Sequence, residues 1–518
     1  MLKVNEFEHG FPVLFSKQSN REYKINDVKD LFADDSKLLV NILQDHYTTQ
    51  RQRLNYLKSY YDNENWDIYH GVRRLNDNKS DNRASHPFAS YIADFHTSYS
   101  VGKPVSIRFQ DDVEGKLIQE LNTIDKANET DTLNYSLFLD TSRYGRAYEQ
   151  VYLGEDKKIH YTRLDPLTTF LIYDTSIEPQ VLASVRYNIY DNFVTDNNFK
   201  ITVEVYTDTW RYNYDQFDMS QNISNVKRSR NDMKKVPVVE YRSNEARTGD
   251  YEQVIPLIKL YDAAQSDTAN YMQDFNDALL LLSGDLEASD LSPESLKSMI
   301  DANVLALQSG KDVDGKQTSA DAKFLTKQMD SNSAESYKRR LAEDIHKFSK
   351  TPQYTDSDFA NNVSGIAMQY KLLGTVEMAE IKRRTFAKGL HDRYELVTNL
   401  MTKLSTLPQG WDIDKLNVSF TDNLPVDIDS SLSTFTSLGG KLSEETLLEK
   451  IVPSTIVDKP DQELERVKKQ NEENIANQQA LLASTAKPKN KSESKTETDT
   501  ENKSESKTET DTENKNEK

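Results

Sequence analysis

Gly249–Gly284 reads GDYEQVIPLIKLYDAAQSDTANYMQDFNDALLLLSG, and its spacing predicts one helix over about Val254–Leu282. On a helical wheel Ile258, Tyr261, Ala264, Thr268, Met272, Phe275, Leu279 and Leu282 form one face, and Asp267, Asp274 and Asp277 lie on the other. Ser283–Glu287, a short helix Pro293–Asp301, a strand Val304–Gln308, a Gly-containing turn and a strand Ala322–Gln328 follow. A second helix, Ala334–Phe348, has Ala334, Tyr337, Leu341, Ile345 and Phe348 as its apolar face and Arg339, Arg340, Glu343 and Lys347 opposite. After a polar loop, Ser349–Val363, comes the longest helix, about Ser364–Leu404. At ~1.5 Å per residue it would span ~60 Å. Its apolar stripe moves from Ile366, Tyr370 and Leu373 round to Phe386, Leu390, Val397, Leu400 and Leu404. Such a helix bends, with Gly374 and Gly389 as bend points, or serves two partners.

Upstream, a helix is expected over Asp35–Asp62, with Leu39, Ile42, Leu43, His46, Leu54 and Leu57 at helical spacing. The loop Arg73–Ser85 is polar and reads as mobile; helix His86–Ser100, the turn Val101-Gly102-Lys103-Pro104 and strand Val105–Phe109 follow. Helix 130–144 leads into Gly145. From there to Tyr241 the segments AYEQVYLG, KIHYTRL, TTFLIYD, LASVRYNIY, ITVEVYT and VPVVEYR predict a mostly antiparallel β region. Downstream, Leu416–Phe420 reads as a strand and 430–482 as short helices. Lys491–Asn502, KSESKTETDTEN, is repeated letter for letter by Lys503–Asn514. From about Ala483 the chain has too little apolar surface to offset its ordering entropy and is expected to be disordered, a solubilising tail.

Composition narrows the function. Of 518 residues, 36% are apolar and 29% charged. With mean hydropathy −0.76, the chain must be partly exposed, disordered or buried only by partners. No apolar run approaches the ~18 residues of a membrane span, and the first thirty residues lack an apolar signal core, so neither secretion nor membrane insertion is expected. There is no cysteine, which removes disulfides, thiol nucleophiles and cysteine metal sites. A net charge of −19 disfavours tight sequence-specific DNA binding but leaves loose contact open.

Gly310–Lys316, GKDVDGK, matches the core of a phosphate-binding loop, but Gln317 stands where Ser or Thr must hold Mg²⁺. Strands are expected on both sides, whereas such a loop opens a helix, and Asp314-Gly315 is a hairpin dipeptide. Asp267, Asp274 and Asp277 could ligate a metal, yet no histidine or second acidic cluster accompanies them, and a solvated face is the simpler reading. Lys227-Arg228-Ser229-Arg230 with Lys234-Lys235 reads as a turn between strands rather than a nucleic-acid patch. Lys382-Arg383-Arg384 with Lys388 and Arg393 alternates with Glu377 and Glu380, which suits intrahelical or inter-subunit ion pairs. No Ser–His–Asp signature is present. The chemistry is that of a binding or structural protein, not an enzyme, with no cofactor.

Four stretches carry a family resemblance. Asn82–Phe109, NRASHPFASYIADFHTSYSVGKPVSIRF, holds Tyr99, Gly102 and Pro104 in a Y-x-x-G-x-P turn. Tyr144–Asp174, YGRAYEQVYLGEDKKIHYTRLDPLTTFLIYD, holds Gly145, Tyr148, Asp165-Pro166 and Tyr173-Asp174. Gly249–Gly284 is the third; the fourth is Val363–Arg393, opened by Ser364-Gly365-Ile366-Ala367. In this order, over roughly 35–460, they resemble the portal proteins of tailed bacteriophages, in the branch typical of long-tailed phages of Gram-positive bacteria.

The resemblance implies an α+β portal architecture: 1–34 an irregular N-terminal segment, 35–253 a wing of helices and then strands, 254–282 a first stem helix, 283–330 a small α/β clip, and 331–348 a second stem helix. Beyond these, 349–363 resembles a tunnel loop, 364–429 the long wing and channel helix with a returning wing strand, 430–482 a helical crown, and 483–518 a disordered tail. It implies a ring, usually of twelve subunits, at one capsid vertex, through which double-stranded DNA passes without sequence specificity. Implied partners are further copies of the chain, the terminase large subunit, the major capsid protein, a scaffolding protein and a head-completion or connector protein. The implied location is the virion, and the host cytoplasm during assembly. Candidate DNA-channel residues are Lys350, Asp356, Asp358, Asn361 and Asn362 in the loop and Asp267, Asp274 and Asp277 on the stem; Asp312, Asp314 and Lys316 are candidate clip contacts. The alternatives are another ring-forming head–tail connector protein, or a nucleotide-binding enzyme using Gly310–Lys316.

Overall fold

The computed structural model describes residues 19–70, 80–110, 115–190, 200–217, 226–231, 233–276, 279–284, 294, 297–299, 304–308, 321–325, 330–353, 372–422, 428–439, 441–443, 446–448, 451–452, 457 and 460–485. The fold is α+β. In chain order it runs β1 (Tyr23–Lys24), α1 (Lys37–Asp45), α2 (Arg51–Tyr61), α3 (Trp66–Tyr69), α4 (Phe88–Val101), β2 (Ser106–Phe109), α5 (Lys116–Ala127) and α6 (Thr130–Tyr144). Eight strands follow: β3 (Arg146–Leu153), β4 (Ile159–Leu164), β5 (Thr169–Tyr173), β6 (Val181–Tyr190), β7 (Lys200–Thr207), β8 (Trp210–Phe217), β9 (Val226–Arg230) and β10 (Val238–Arg242). Then come α7 (Ile255–Asn276), β11 (Leu279–Gly284), β12 (Val304–Gln308), β13 (Asp321–Leu325), α8 (Ser331–Phe348), α9 (Leu373–Leu404) and β14 (Leu416–Ser419). Residues 425–518 form a separate unit, which contains α10 (Ile428–Leu438) and α11 (Pro460–Thr485).

Strand patterning explains the β region. One sheet has the order β1-β5-β6-β7-β8-β9, antiparallel except where β1 runs parallel to β5. On one face Phe170, Ile172, Ala183, Val185, Val203 and Val205 alternate along their strands and pack under Leu31, Leu39 and Leu43. On the other face of β5, Leu171 and Tyr173 join Tyr148, Leu164, Val236 and Val238. Both faces of β5 are thus covered, so it reads as a continuous apolar run, Thr169–Tyr173, with every residue buried. The second sheet, β10-β3-β4, turns Ala147, Val151, Tyr161, Val239 and Tyr241 toward Phe386, Leu390, Tyr394 and Val397 of α9.

Several expectations are corrected. The helix expected over 254–282 ends at Asn276, and Leu279–Gly284 is a strand between β12 (parallel) and β13 (antiparallel). An unbroken Leu run carries no period, so a helix and a doubly paired strand read alike in it. The stripe that α7 buries also differs: Ile258, Asp262, Ser266 and Asn270 are buried, while Met272 is exposed. On α8, Leu341 and Ile345 are buried as expected, but Tyr337 and Phe348 are exposed. The helix expected over Asp35–Asp62 starts at Lys37 and contains a π-helical turn, His46–Gln50. That turn places His46 beneath the sheet, where its Nδ1 lies 3.0 Å from the Tyr187 hydroxyl.

Val226–Arg230 is not a turn but an exposed edge strand, which suits Lys and Arg because charge discourages edge-to-edge pairing. With β8 and α5, it was not anticipated. The helix α9 runs unbroken through Gly374 and Gly389; a Cβ at Gly389 would collide with the Tyr241 ring, so that glycine permits close packing rather than a bend. Part of the 430–482 region is one long helix, Pro460–Thr485, which also carries order slightly past Ala483. The repeats lie outside the described residues, as do 364–371 at the start of the expected long helix and most of the short helix expected over 293–301.

Candidate functional site at the helix pair and the chain leaving it

α7 follows strand β10, the chain then forms the β12-β11-β13 sheet, and α8 returns along α7. Ile345 near the end of α8 shares a core with Ile255 and Ile258 at the start of α7, so the two helices run antiparallel. Leu54, Leu57, Tyr60, Ile92 and Tyr251 complete that core and seat the pair on α2 and α4.

The polar stripe on α7 has a specific partner. Asn82 N donates to Asn270 Oδ1 at 2.7 Å, and Ala84 N to Ser266 Oγ at 3.0 Å. His86 Nδ1 meets Asp262 Oδ1 at 2.8 Å, and Asn65 Nδ2 donates to Asp262 Oδ2 at 2.5 Å. Residues four apart on a helix advance ~6 Å and residues two apart on an extended chain ~6.6 Å, so 262, 266 and 270 match 86, 84 and 82 as a ladder. Residues 80–85, read from sequence as mobile, are therefore fastened to α7. The signal for this in the sequence is an i, i+4, i+8 series of polar residues, Asp262, Ser266 and Asn270, which an apolar helical period does not include.

At the other end of the pair, α8 closes in a C-terminal motif with Lys350 in the left-handed position, φ 55°. Thr351 N reaches His346 O at 3.0 Å and Lys350 N reaches Lys347 O at 3.3 Å, the two bonds of a Schellman cap. The next carbonyls are taken by side chains from other elements. His96 Nε2 donates to Ser349 O at 2.9 Å, Thr375 Oγ1 to Lys350 O at 2.7 Å, and Tyr91 OH to Pro352 O at 3.1 Å. His96 is fully buried, and burial lowers its pKa, keeping it neutral.

α9 is anchored by charge. Arg393 Nε donates to Glu149 Oε2 at 2.7 Å with both side chains fully buried, and Tyr241 OH donates to the same oxygen at 2.7 Å. The guanidinium lies over the Tyr161, Tyr241 and Tyr394 rings at 5.1, 5.7 and 5.9 Å. Burial alone would lower the Arg393 pKa; Glu149, with Tyr241 and Tyr394, more than reverses that. Lys382 Nζ bonds Asp250 Oδ2 and Ser142 Oγ, both at 2.6 Å, and Arg383 bonds Asp422 at 2.6 Å. The basic cluster on this helix thus pairs chiefly across the tertiary fold, although Arg383 also bonds Glu380 three residues back.

Of the expected channel residues, Lys350 sits exposed at the root of the segment after α8, and Asp267 is exposed on α7, away from the buried stripe. Asp274 lies within α7, seven residues beyond Asp267. Asp277, Asp356, Asp358, Asn361, Asn362, Asp312, Asp314 and Lys316 lie outside the described residues, as does Gly310–Lys316, although strands flank that loop on both sides. Among the described residues no acidic or histidine group is arranged to hold a metal, and no helix is long and apolar enough to cross a membrane.

Residues 40–477 match the family described as phage portal protein, SPP1 Gp6-like. The portal protein of Bacillus phage SPP1 is 23% identical over 287 residues, covering 50% of this chain and 54% of that protein. The portal protein of Clostridium phage phiCD119 is 27% identical over 251 residues, covering 45% and 55%. The chain therefore spans about half the length of the curated relatives it matches. A chain from the neck of an empty GTA particle, computed with C6 symmetry, aligns with 75% of this chain and 98% of its own at 11% identity and a TM-score of 0.37, too loose a likeness to position any element. With more than four fifths of its length matched, this chain belongs to the phage portal protein family, SPP1 Gp6-like.

Proposed function

We propose that the chain assembles into a ring, of about twelve copies in keeping with its family, at one capsid vertex, and that double-stranded DNA enters and leaves through its bore. The observation that supports this most is the succession of helix, small sheet, antiparallel helix, fastened root and long helix, in a chain that matches the portal family over residues 40–477. On this reading α7 and α8 form the stem, the β12-β11-β13 sheet belongs to the clip, and 349–363 is the tunnel loop. The segments 35–253 and 364–429 make the wing and 430–482 the crown. The clip begins at Leu279, inside the stretch first read as stem helix.

An acidic stem face of Asp267, Asp274 and Asp277 would repel phosphates and let a duplex slide, and the mixed polarity of Lys350, Asp356, Asp358, Asn361 and Asn362 suits transient contacts. ATP hydrolysis would reside in the terminase, docked at the clip through groups such as Asp312, Asp314 and Lys316. A head-completion or connector protein would take the same place later. Capsid and scaffolding proteins would meet the ring during assembly in the host cytoplasm, where the ring would start procapsid formation; its final place is the virion.

The test is the assembled mass of the full-length protein by native mass spectrometry, with images of the same sample. The expected result is a ring of about twelve copies with a hole of duplex width. A compact monomer at every salt concentration, persisting on co-expression with capsid and scaffolding proteins, would overturn the reading.

A further inference from the structure

The root of the segment after α8 is held more firmly than a helix end requires. A Schellman cap already satisfies the last turn of α8, with its two backbone bonds at 3.0 and 3.3 Å. Glycine is the residue that takes the left-handed position without strain, yet Lys350 occupies it, at φ 55°. Beyond the cap, Ser349, Lys350 and Pro352 each present a carbonyl to a side chain of another element: His96 and Tyr91 from α4, and Thr375 from the first turn of α9. Ser349 and Thr351 are buried, and Thr351 Oγ1 lies 3.3 Å from His96 Nε2 and 3.1 Å from Ser349 Oγ. A strained, non-glycine cap survives only where its surroundings over-determine it. Here the surroundings are polar groups from two other helices, aimed at backbone that would otherwise face water or its own side chains.

We propose that Tyr91, His96 and Thr375 are positioning residues. Together they hold Lys350 in its left-handed conformation and fix the point and direction at which the chain departs the helix pair. Because Thr375 stands in the first turn of α9 while Tyr91 and His96 stand on α4, the three bonds also tie the end of α8 to both helices at once. A shift of α8 against α4 or α9 would have to break one of these bonds, so the departing chain reports the relative placement of the three. The purpose of this device, setting how the following segment meets DNA, rests on the portal reading above; the clamp itself does not.

The absence of cysteine allows two introduced cysteines, at Gln353 and Lys388, to carry the only spin labels in the full-length protein. In the parent, labelled chains diluted with unlabelled ones should give one narrow distance distribution. The double variant Tyr91→Phe/Thr375→Val removes two hydroxyls with little change of shape. It should broaden that distribution about twofold or more while leaving assembled mass unaltered. Thr375→Ser, which keeps the hydroxyl, should retain the parent distribution. DNA packaging by rings of the double variant should fall about tenfold or more, since a misplaced group can cost up to about a hundredfold. An unchanged distribution in the double variant would overturn the clamp, whatever the assembly does. A broadened distribution with undiminished packaging would overturn its role toward DNA. Failure of the parent to form rings even on co-expression with capsid and scaffolding proteins would overturn the portal reading and leave the distance result to decide the clamp alone.

Discussion

α7 and α9 are both long helices that bury polar side chains, and they do so by opposite means. α9 sinks full charges: the Arg393–Glu149 pair is 0% exposed on both sides, and Lys382–Asp250 is 3% and 0% exposed. α7 buries one carboxylate, Asp262, held by His86 and Asn65, but beyond it Ser266 and Asn270 meet a passing extended segment through single hydrogen bonds to its backbone. A desolvated charge has no substitute partner within reach, so each pair on α9 fixes the helix in one rotation and one register. A hydrogen bond to a segment that lies near water can open and be replaced by solvent at little net cost. The contrast separates a fixed axis, locked onto the β10-β3-β4 sheet, from a helix whose covering can be renewed locally.

The largest expected effect breaks the fixed axis. Arg393→Met strands Glu149 in the core and leaves Tyr241 OH bonded to an unpaired buried carboxylate. It should cost about 3–5 kcal/mol in urea unfolding. Adding Glu149→Leu should recover most of that loss, because removing both charges also removes their desolvation. A double variant as unstable as the single one would show that packing around the tyrosine rings, not the ion pair, carries the cost.

A smaller effect sharpens the comparison through pH. Asp125 accepts a hydrogen bond from Tyr394 OH at 3.0 Å, and burial pushes its carboxyl up from the ordinary 3.8 to about 6 although Arg393 pulls the other way. The folded state therefore binds the proton more tightly than the unfolded chain does between those values. That contribution to stability is present below pH 3.8 and is lost as pH rises through 6. Asp125→Asn keeps an acceptor for Tyr394 and removes the half-buried charge. The variant should exceed the parent by about 1–3 kcal/mol at pH 8, and the difference should shrink toward zero by pH 4. A difference independent of pH would mean that the carboxylate is not desolvated as the fold implies.

Much of this fold was legible in the sequence, and the failures have a common cause. Helix 130–144 with Gly145 behind it, strands 146–164 and 181–207, and the helix–sheet–helix order all follow from period and turn residues. Gly145, at φ 78°, ends α6 where its composition says it should. What failed was decided by distant partners. Leu279–Gly284 became a strand because β12 and β13 flank it. The stripe on α7 is polar because residues 80–86 lie on it. The lysines and arginines of α9 read as partners in intrahelical or inter-subunit ion pairs, and Arg383 does reach Glu380, but Lys382, Arg383 and Arg393 are buried chiefly against Asp250, Asp422 and Glu149 on other parts of the chain. Spacing within one helix cannot reveal a counter-ion that lies 39 residues downstream, as Asp422 does, or 132 and 244 upstream, as Asp250 and Glu149 do. At the candidate site Asp267 and Lys350 are exposed, and Tyr91, His96 and Thr375 carry no local mark. Each takes its meaning from a carbonyl on another element.

The smallest effect concerns the ladder on α7. Ser266→Ala removes the acceptor for Ala84 N and should cost only about 0.5–1.5 kcal/mol. If the ladder opens locally, almost none of that loss should appear in the global unfolding midpoint. It should appear instead as hydrogen exchange faster by about fivefold or more at the Ala84 and Asn82 amides, while amides of β5 stay unchanged. Asn270→Ala should act in the same way, centred on Asn82, because Asn270 Oδ1 accepts from that amide at 2.7 Å. Combined, the two changes should be less than additive in exchange, since once the segment has lifted from one rung the next holds less. A shift of the global midpoint as large as that of Arg393→Met would instead make the ladder part of the same cooperative unit as α9. The two helices would then differ in chemistry but not in the way they hold the fold.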